Sequence, residues 1–488
     1  MYKFIHFFTG LLIFLILSCQ SEKASEPLPS TSANEVVFAD YKKGPIQVYG
    51  AIQNAGNTNI KLTYQKTNRS AIIKDGKFSI NHLINEPGIY HLVYNGQRIP
   101  LFLRPNDEVE INFDALQVDK TIKFSGSDPI SQKYLFLKSR NNPLSRSEKR
   151  KAAKLVEADF IKQTNQIREK EKTFFAEFQK KNNSISKDFI LFEDTEIQFN
   201  WAQQLNDYKL YHPFYSTDGT YTPSPEFLSY FNELELNNDA LMISESYRNF
   251  LIAHVGQKAS DLVQKDLMNG GKIQTSLRAF EVVEKEHDAP GVKSFLLYTF
   301  FNQHLRSQGI NGSEDLYQRF KKGVTNPKYL TEVDEVFQAW KHLKKGAPAP
   351  TFQYPDTKGK QVSLNDLKGK VVYIDVWATW CGPCKTEIPH LEKLQESFHD
   401  QPVAFVSVSI DQNKAAWSKM IKEKNLTGTQ LIADKAGNSQ ICKDYKIQGI
   451  PRFILIDQAG NIVNAQEDRP SRGTVKGKID DLLKNNLG

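Results

Sequence analysis

The stretch GKVVYIDVWATWCGPCKTEIP, Gly369 to Pro389, decides how the C-terminal part of this chain is read. Val371 to Val376 is a short run of apolar, largely β-branched residues broken only by Asp375, the pattern of a strand buried on both faces. It leads into Trp377-Ala378-Thr379-Trp380 and then into Cys381-Gly382-Pro383-Cys384. Proline is pre-organised for the opening turn of a helix, so Pro383 places Cys381 at a helix N-terminus. Unpaired backbone N–H groups and the positive end of the helix dipole favour a thiolate there, which makes Cys381 the nucleophile. Cys384, one turn further in, is close to Cys381 but shielded. The pair is expected to divide attack and resolution between its two sulfurs.

Outward from this stretch, Lys344-Lys345-Gly346-Ala347-Pro348-Ala349-Pro350 cannot continue a helix and marks a boundary. From 346 to 488 strand and helix patterns alternate. A short strand is expected at Phe352 to Tyr354, the buried strand at Val371 to Val376, a helix from Pro383, and a strand from Val403 to Ile410. Helices around Ala415 to Lys424 and Ser439 to Tyr445 follow, then strands Arg452 to Asp457 and Ile462 to Ala465 around Ala459-Gly460-Asn461, and a last helix from Arg472 to Lys484. This is an α/β fold with a mixed central sheet.

The first stretch, together with YKIQGIPRFILIDQAGNIV from Tyr445 to Val463, resembles the thioredoxin superfamily and, within it, the TlpA-like and ResA-like membrane-anchored oxidoreductases. The resemblance spans about Ala347 to Gly488. It implies that Pro451 is a cis-proline whose loop abuts the two sulfurs and pairs with substrate backbone. Trp380, Gly382, Pro383, Ile450 and Pro451 are then the substrate-binding set. It also implies that Asp375 is the buried carboxylate beneath the inner cysteine, raised in pKa by burial and able to take and return a proton; an Asp satisfied at a strand end is the alternative. The lysine that thioredoxins hold near that carboxylate corresponds to Ser407 here. About 25 extra residues before Pro451 resemble the TlpA-like insertion, an added β/α crossover unit. Cys442 reads as a buried small hydrophobe, with a third redox thiol as the alternative.

Upstream, Val36 to Phe124 alternates apolar and polar residues with period two, with turn chemistry at Asp75-Gly76 and Pro105-Asn106-Asp107. An antiparallel, sandwich-like β domain is expected over 36–126, similar to the β domain that precedes thioredoxin-like domains in envelope lipoproteins. From 127 to 345 the period is helical and aromatic-rich, which reads as an all-α domain of about eight helices with its aromatic stripes in the core. A chain of 488 residues is long enough for this multidomain division.

Lys3 and the apolar run Phe4 to Leu17 suit a signal-peptide core better than a transmembrane helix. The run ends in Leu15-Ile16-Leu17-Ser18-Cys19, which resembles a bacterial lipobox. Residues 1–18 are then a lipoprotein signal peptide, Cys19 the lipidated mature N-terminus, and 19–35 a Ser-, Glu- and Pro-rich linker. A plain signal peptide with an incidental cysteine is the alternative.

With a net charge of +7 and lysines interleaved with glutamates, nucleic-acid binding has no support. The ten histidines show no ligand spacing and no glycine loop cradles phosphate, so no metal and no cofactor is expected. The expected activity is reduction of disulfides in exported proteins by a periplasm-facing lipoprotein of the bacterial envelope, for example in cytochrome c biogenesis, with a membrane electron donor restoring the dithiol. The alternatives are a binding or scaffold lipoprotein with an accessory thioredoxin-like domain, and a thiol peroxidase. The P-x-x-x-T-x-x-C signature of peroxiredoxins is absent, since Thr379 lies two residues before Cys381.

Overall fold

The computed structural model describes residues 42–56, 59–65, 67–141, 151–215, 221–270 and 274–484. The signal peptide, Cys19, the linker and the expected onset of order near Val36 lie outside the described residues.

Among the described residues eight strands come first: β1 (Gly44–Gln53), β2 (Asn59–Tyr64), β3 (Thr67–Ile72), β4 (Lys77–Ile84), β5 (Gly88–Tyr94), β6 (Gln97–Leu103), β7 (Glu108–Asp114) and β8 (Lys123–Gly126). They form two four-stranded sheets, ordered β4-β1-β7-β8 and β3-β2-β5-β6. The period-two pattern puts Ile46, Val48, Ile80 and Ile111 of the first sheet against Leu62, Leu92 and Leu101 of the second in one apolar core. Asp75 and Gly76, at φ 50° and 72°, make the two-residue turn between β3 and β4, a left-handed geometry in which Gly carries no Cβ penalty.

The fully antiparallel expectation needs a correction, because β1 and β7 pair in parallel, Val48 opposite Val109. Period-two burial reports which face is inside and carries no information on strand direction. Strand β3, TNRSAI, was not legible because it is an edge strand with no residue fully buried.

Eight helices of ten or more residues follow among the described residues: α1 (Pro129–Asn141), α2 (Glu157–Lys181), α3 (Lys187–Tyr211), α4 (Glu245–Met268), α5 (Thr275–Glu286), α6 (Pro290–Gln308), α7 (Glu314–Gly323) and α8 (Pro327–Trp340). Ser186 and Ser244 cap α3 and α4 by accepting from Phe189 N and Tyr247 N. The outer face of β6 packs Phe102 against Tyr134, Phe189 and Phe192. Gln132 on α1 bonds both Phe102 N (3.0 Å) and Phe102 O (2.7 Å), so the free edge of the second sheet is closed by a side chain.

The C-terminal part contains the hairpin β9 (Gln353–Pro355) and β10 (Gln361–Ser363), then β11 (Val371–Trp377), α9 (Gly382–Glu396), β12 (Val403–Ser409), α10 (Lys414–Lys424), β13 (Thr429–Ile432), α11 (Gln440–Asp444), β14 (Arg452–Ile456), β15 (Ile462–Glu467) and α12 (Thr474–Lys484). The five-stranded sheet is ordered β13-β12-β11-β14-β15. β11, β12 and β13 run parallel, and β14 and β15 are antiparallel to their neighbours. All seven residues of β11 are buried, as a central strand covered on both faces requires. Within the extra residues, α10 and β13 extend the sheet beyond β12 as a parallel crossover. One face of this sheet, through Val372, Ile374 and Val376, shares an apolar cluster with Phe337, Trp340 and Leu343 of the helical part. The other face packs Tyr373, Phe405 and Phe453 against α9 and α12.

Candidate active site

The site begins where β11 ends. Ile410 N donates to Trp377 O (2.9 Å) and Cys381 N to Ala378 O (3.0 Å), which turns the chain from the sheet into α9. Cys381 is the N-cap of α9, with its sulfur accepting from Cys384 N at 3.1 Å. That bond is the one a thiolate at a helix N-terminus draws on. Pro383 occupies the first turn, and Cys381 and Cys384 are joined in a disulfide with Cα atoms 5.3 Å apart. The expectation that Cys384 is the shielded member of the pair needs correcting for this oxidised state, since Cys381 and Cys384 are 5% and 4% exposed. Bonding the sulfurs to each other covers both over the same helical turn.

Around the sulfurs the rim is open. Trp380 is 67% exposed, Gly382 and Pro383 are exposed, and Ile450 and Pro451 are half-buried. The Ile450–Pro451 peptide is cis. Trp380, Thr379, Ile450, Gln448 and Cys442 line a cavity of about 1040 Å³ beside the pair. Cys442 is buried, and burial pushes its thiol above the ordinary range.

Asp375 lies on β11 opposite Ser407 of β12 and Phe453 of β14. It is buried, and no hydrogen bond reaches its carboxylate among the described residues. Burial, and then the charge of Glu387, push it up to about 7. The alternative of an Asp satisfied at a strand end has no partner to support it.

Three residues escaped the sequence reading. Glu387 is buried on α9, three positions after Cys384, and accepts from Ser471 N (3.1 Å) and Ser471 Oγ (2.8 Å). Helical spacing alone places it on the same face as Cys384, and that signal was available. Asp411, buried just past β12, accepts from Thr379 N (2.9 Å), Thr379 Oγ1 (2.7 Å) and Ser409 Oγ (2.7 Å), pinning the segment that presents Trp380 and Cys381. Arg452, directly after Pro451, is buried as well. No group of three His, Cys, Asp or Glu side chains among the described residues is placed to hold a metal.

Comparison with known proteins agrees with this geometry. The Redoxin family profile matches residues 344–483. The thiol-disulfide oxidoreductase ResA of Bacillus subtilis is 32% identical over 133 residues, which cover 27% of this chain and 73% of that protein. The chain belongs to the ResA/TlpA-like branch of the thioredoxin superfamily. This ResA-like chain is a thiol:disulfide oxidoreductase. ResA of Bacillus cereus is likewise 32% identical, over 127 residues covering 26% of this chain and 72% of that protein. Among solved structures, the thioredoxin domain of a thiol-disulfide oxidoreductase from Bacteroides vulgatus aligns at 35% identity, covering 28% of this chain and 97% of that one, with a TM-score of 0.26. In this ResA-like chain the matched part is C-terminal, and residues before 344 lie outside the family match.

Proposed function

We propose that this protein reduces disulfides of exported proteins through Cys381 and Cys384, with Asp375 carrying the proton. The observation that carries the reading is a closed Cys381–Cys384 pair at the head of α9, reached by a strand whose buried Asp375 is pushed to about 7. In the dithiol form, the Cys381 thiolate attacks one sulfur of a substrate disulfide, forming a mixed disulfide and expelling the other substrate sulfur as a thiolate. Asp375, ionised, takes the proton of Cys384, whose sulfur then attacks Cys381 Sγ. The second substrate thiolate leaves and is protonated, and the two electrons have passed from the dithiol to the substrate, leaving the Cys381–Cys384 disulfide. An acid near 7 is suited to this work because it gains and loses the proton at little cost at neutral pH.

Trp380, Gly382, Pro383, Ile450 and Pro451 form the surface that meets the substrate polypeptide, and Asp411 holds that rim in place. Glu387 keeps Asp375 protonated longer than burial alone does. A membrane electron donor restores the dithiol. Cys19 carries the lipid anchor on the periplasmic side of the envelope, and residues 36–126, 127–345 and 346–488 are the β, helical and thioredoxin-like domains. The test is trapping. Cys384→Ser expressed in the envelope is expected to accumulate mixed disulfides through Cys381 that reducing agent releases, and Cys381→Ser to accumulate none. Absence of adducts in Cys384→Ser refutes the mechanism.

A further inference from the structure

Arg452 is the residue after Pro451 and the first of β14, paired with Val376 of β11. It is 6% exposed and forms no ion pair among the described residues. Among the described residues its guanidinium hydrogen-bonds only backbone carbonyls: Nη1 donates to Ala465 O on β15 and Nη2 to Arg306 O, both at 3.4 Å. These contacts are long for hydrogen bonds. Burial pulls the guanidinium down to about 10, with the nearby Cys442 sulfur opposing. A buried cation without a counter-ion is costly, so what faces it matters.

What faces it is the end of a helix. Arg306 lies in the last turn of α6, where carbonyls have lost their intrahelical partners and carry the negative end of the helix dipole. The same Arg306 carbonyl also accepts from Gln466 Nε2 on β15. Gly309 turns the chain away at φ 73°, and a Cβ there would stand 3.2 Å from Gln466 Cβ. Asn311 reaches Val463 O (3.4 Å) and accepts from Lys345 N (2.8 Å). The end of α6 is therefore seated on β14 and β15 with little slack. Its field falls on a charge one residue from the loop that shares a cavity with Trp380.

We propose that Arg452 is a positioning residue through which the C-terminus of α6 sets the Gly449–Pro451 loop, so that the helical segment governs how this loop receives a substrate polypeptide. The inference rests on the reading of Ile450 and Pro451 as substrate-contacting residues. A polypeptide disulfide depends on that loop, whereas a small disulfide needs only the sulfurs. An uncharged residue at 452 releases the loop from α6 without touching the cysteines.

The experiment uses the full chain with Arg452→Met, Arg452→Lys and Gly309→Ala. It measures kcat and KM for reduction of insulin, the rate with hydroxyethyl disulfide, and the thermal midpoint. Arg452→Met is expected to raise KM for insulin about three- to tenfold, the range of coupling through a packed contact, and to leave the small-disulfide rate within about twofold of wild type. Arg452→Lys, which keeps the charge, recovers part of the loss. Gly309→Ala, which leaves Arg452 in place and lifts the helix end, reproduces the KM effect, and the double variant with Arg452→Met shows less than the product of the two. Should Arg452→Met fail to fold, Gly309→Ala carries the same expectation. An unchanged insulin KM in both variants overturns the proposal, as does a parallel fall of both rates with the thermal midpoint. Multiplicative effects in the double variant also overturn it. Failure of the exchange chemistry itself shows in the wild type with the small disulfide, while failure of the coupling shows only in the variants.

Discussion

Replacing Asp375 by Asn tests the site most directly, because the buried carboxyl has two consequences that can be measured apart. In the oxidised protein its ordinary value of 3.8 is pushed to about 7 by burial and by Glu387. With about 1.4 kcal/mol for each tenfold change in acidity, ionising this group in the folded state opposes folding by about 4 kcal/mol. The sign follows from the raised value. Below about pH 4 the carboxyl is neutral in both states and the penalty is absent. As pH rises from about 4 to about 7 the unfolded chain ionises and the folded one does not, so stability falls, and above about 7 the loss is complete. Asn never ionises and forfeits no hydrogen bond, since none reaches Asp375 among the described residues. Asp375→Asn is therefore expected to match wild type near pH 4 and to exceed it by up to about 4 kcal/mol at pH 8, read from urea unfolding of the two oxidised proteins at each pH. Under the proposed mechanism the same change also removes the proton acceptor, so resolution of the mixed disulfide is expected to slow by about a hundredfold at pH 7, and the defect to ease as pH rises and Cys384 ionises unaided. A stability difference that stays constant from pH 4 to pH 8 refutes the raised acidity constant, and pH-independent turnover refutes the proton role.

Glu387→Gln removes the charge that adds to the burial of Asp375, so the Asp375 carboxyl is expected to titrate below about 7 when followed by carbon-detected NMR; an unmoved midpoint denies Glu387 an electrostatic role. In the reduced protein, iodoacetamide near neutral pH is expected to modify Cys381 before Cys442, because Cys381 caps α9 while burial raises the Cys442 thiol; mass spectrometry showing Cys442 first reverses the assignment. Palmitate is expected to label the wild-type chain in cells and to spare Cys19→Ala, since Cys19 follows the apolar run in lipobox context; equal labelling excludes lipidation there.

Much of the C-terminal part was legible because its signals are local. An apolar run broken only by Asp375, a proline two residues past a cysteine, and Gly460 at φ 87° between two apolar strands each constrain the backbone over a few residues. The start of α9 at Gly382 and of α10 at Lys414 each fall one residue from the expected positions for the same reason. The hairpin partner β10, QVS, was missed because one exposed and two half-buried residues carry no periodicity. The parallel pairing of β1 with β7 was missed because direction is set by how the chain crosses between two sheets, a non-local matter.

The linear sequence by itself determined the cysteine pair and its place at a helix N-terminus, because residue type at fixed short spacing leaves covalent geometry few choices. The distant Pro451 and the carboxyl of Asp375 took their expected roles from the family resemblance. The tertiary structure alone decided which charges share a dry environment. It set Glu387 near Asp375, tied Asp411 to Thr379 across 32 positions, and brought the end of α6 to Arg452 across 146. Burial and charge interaction depend on distance through space, and segments remote along the chain become neighbours only when the sheet and the helices have packed.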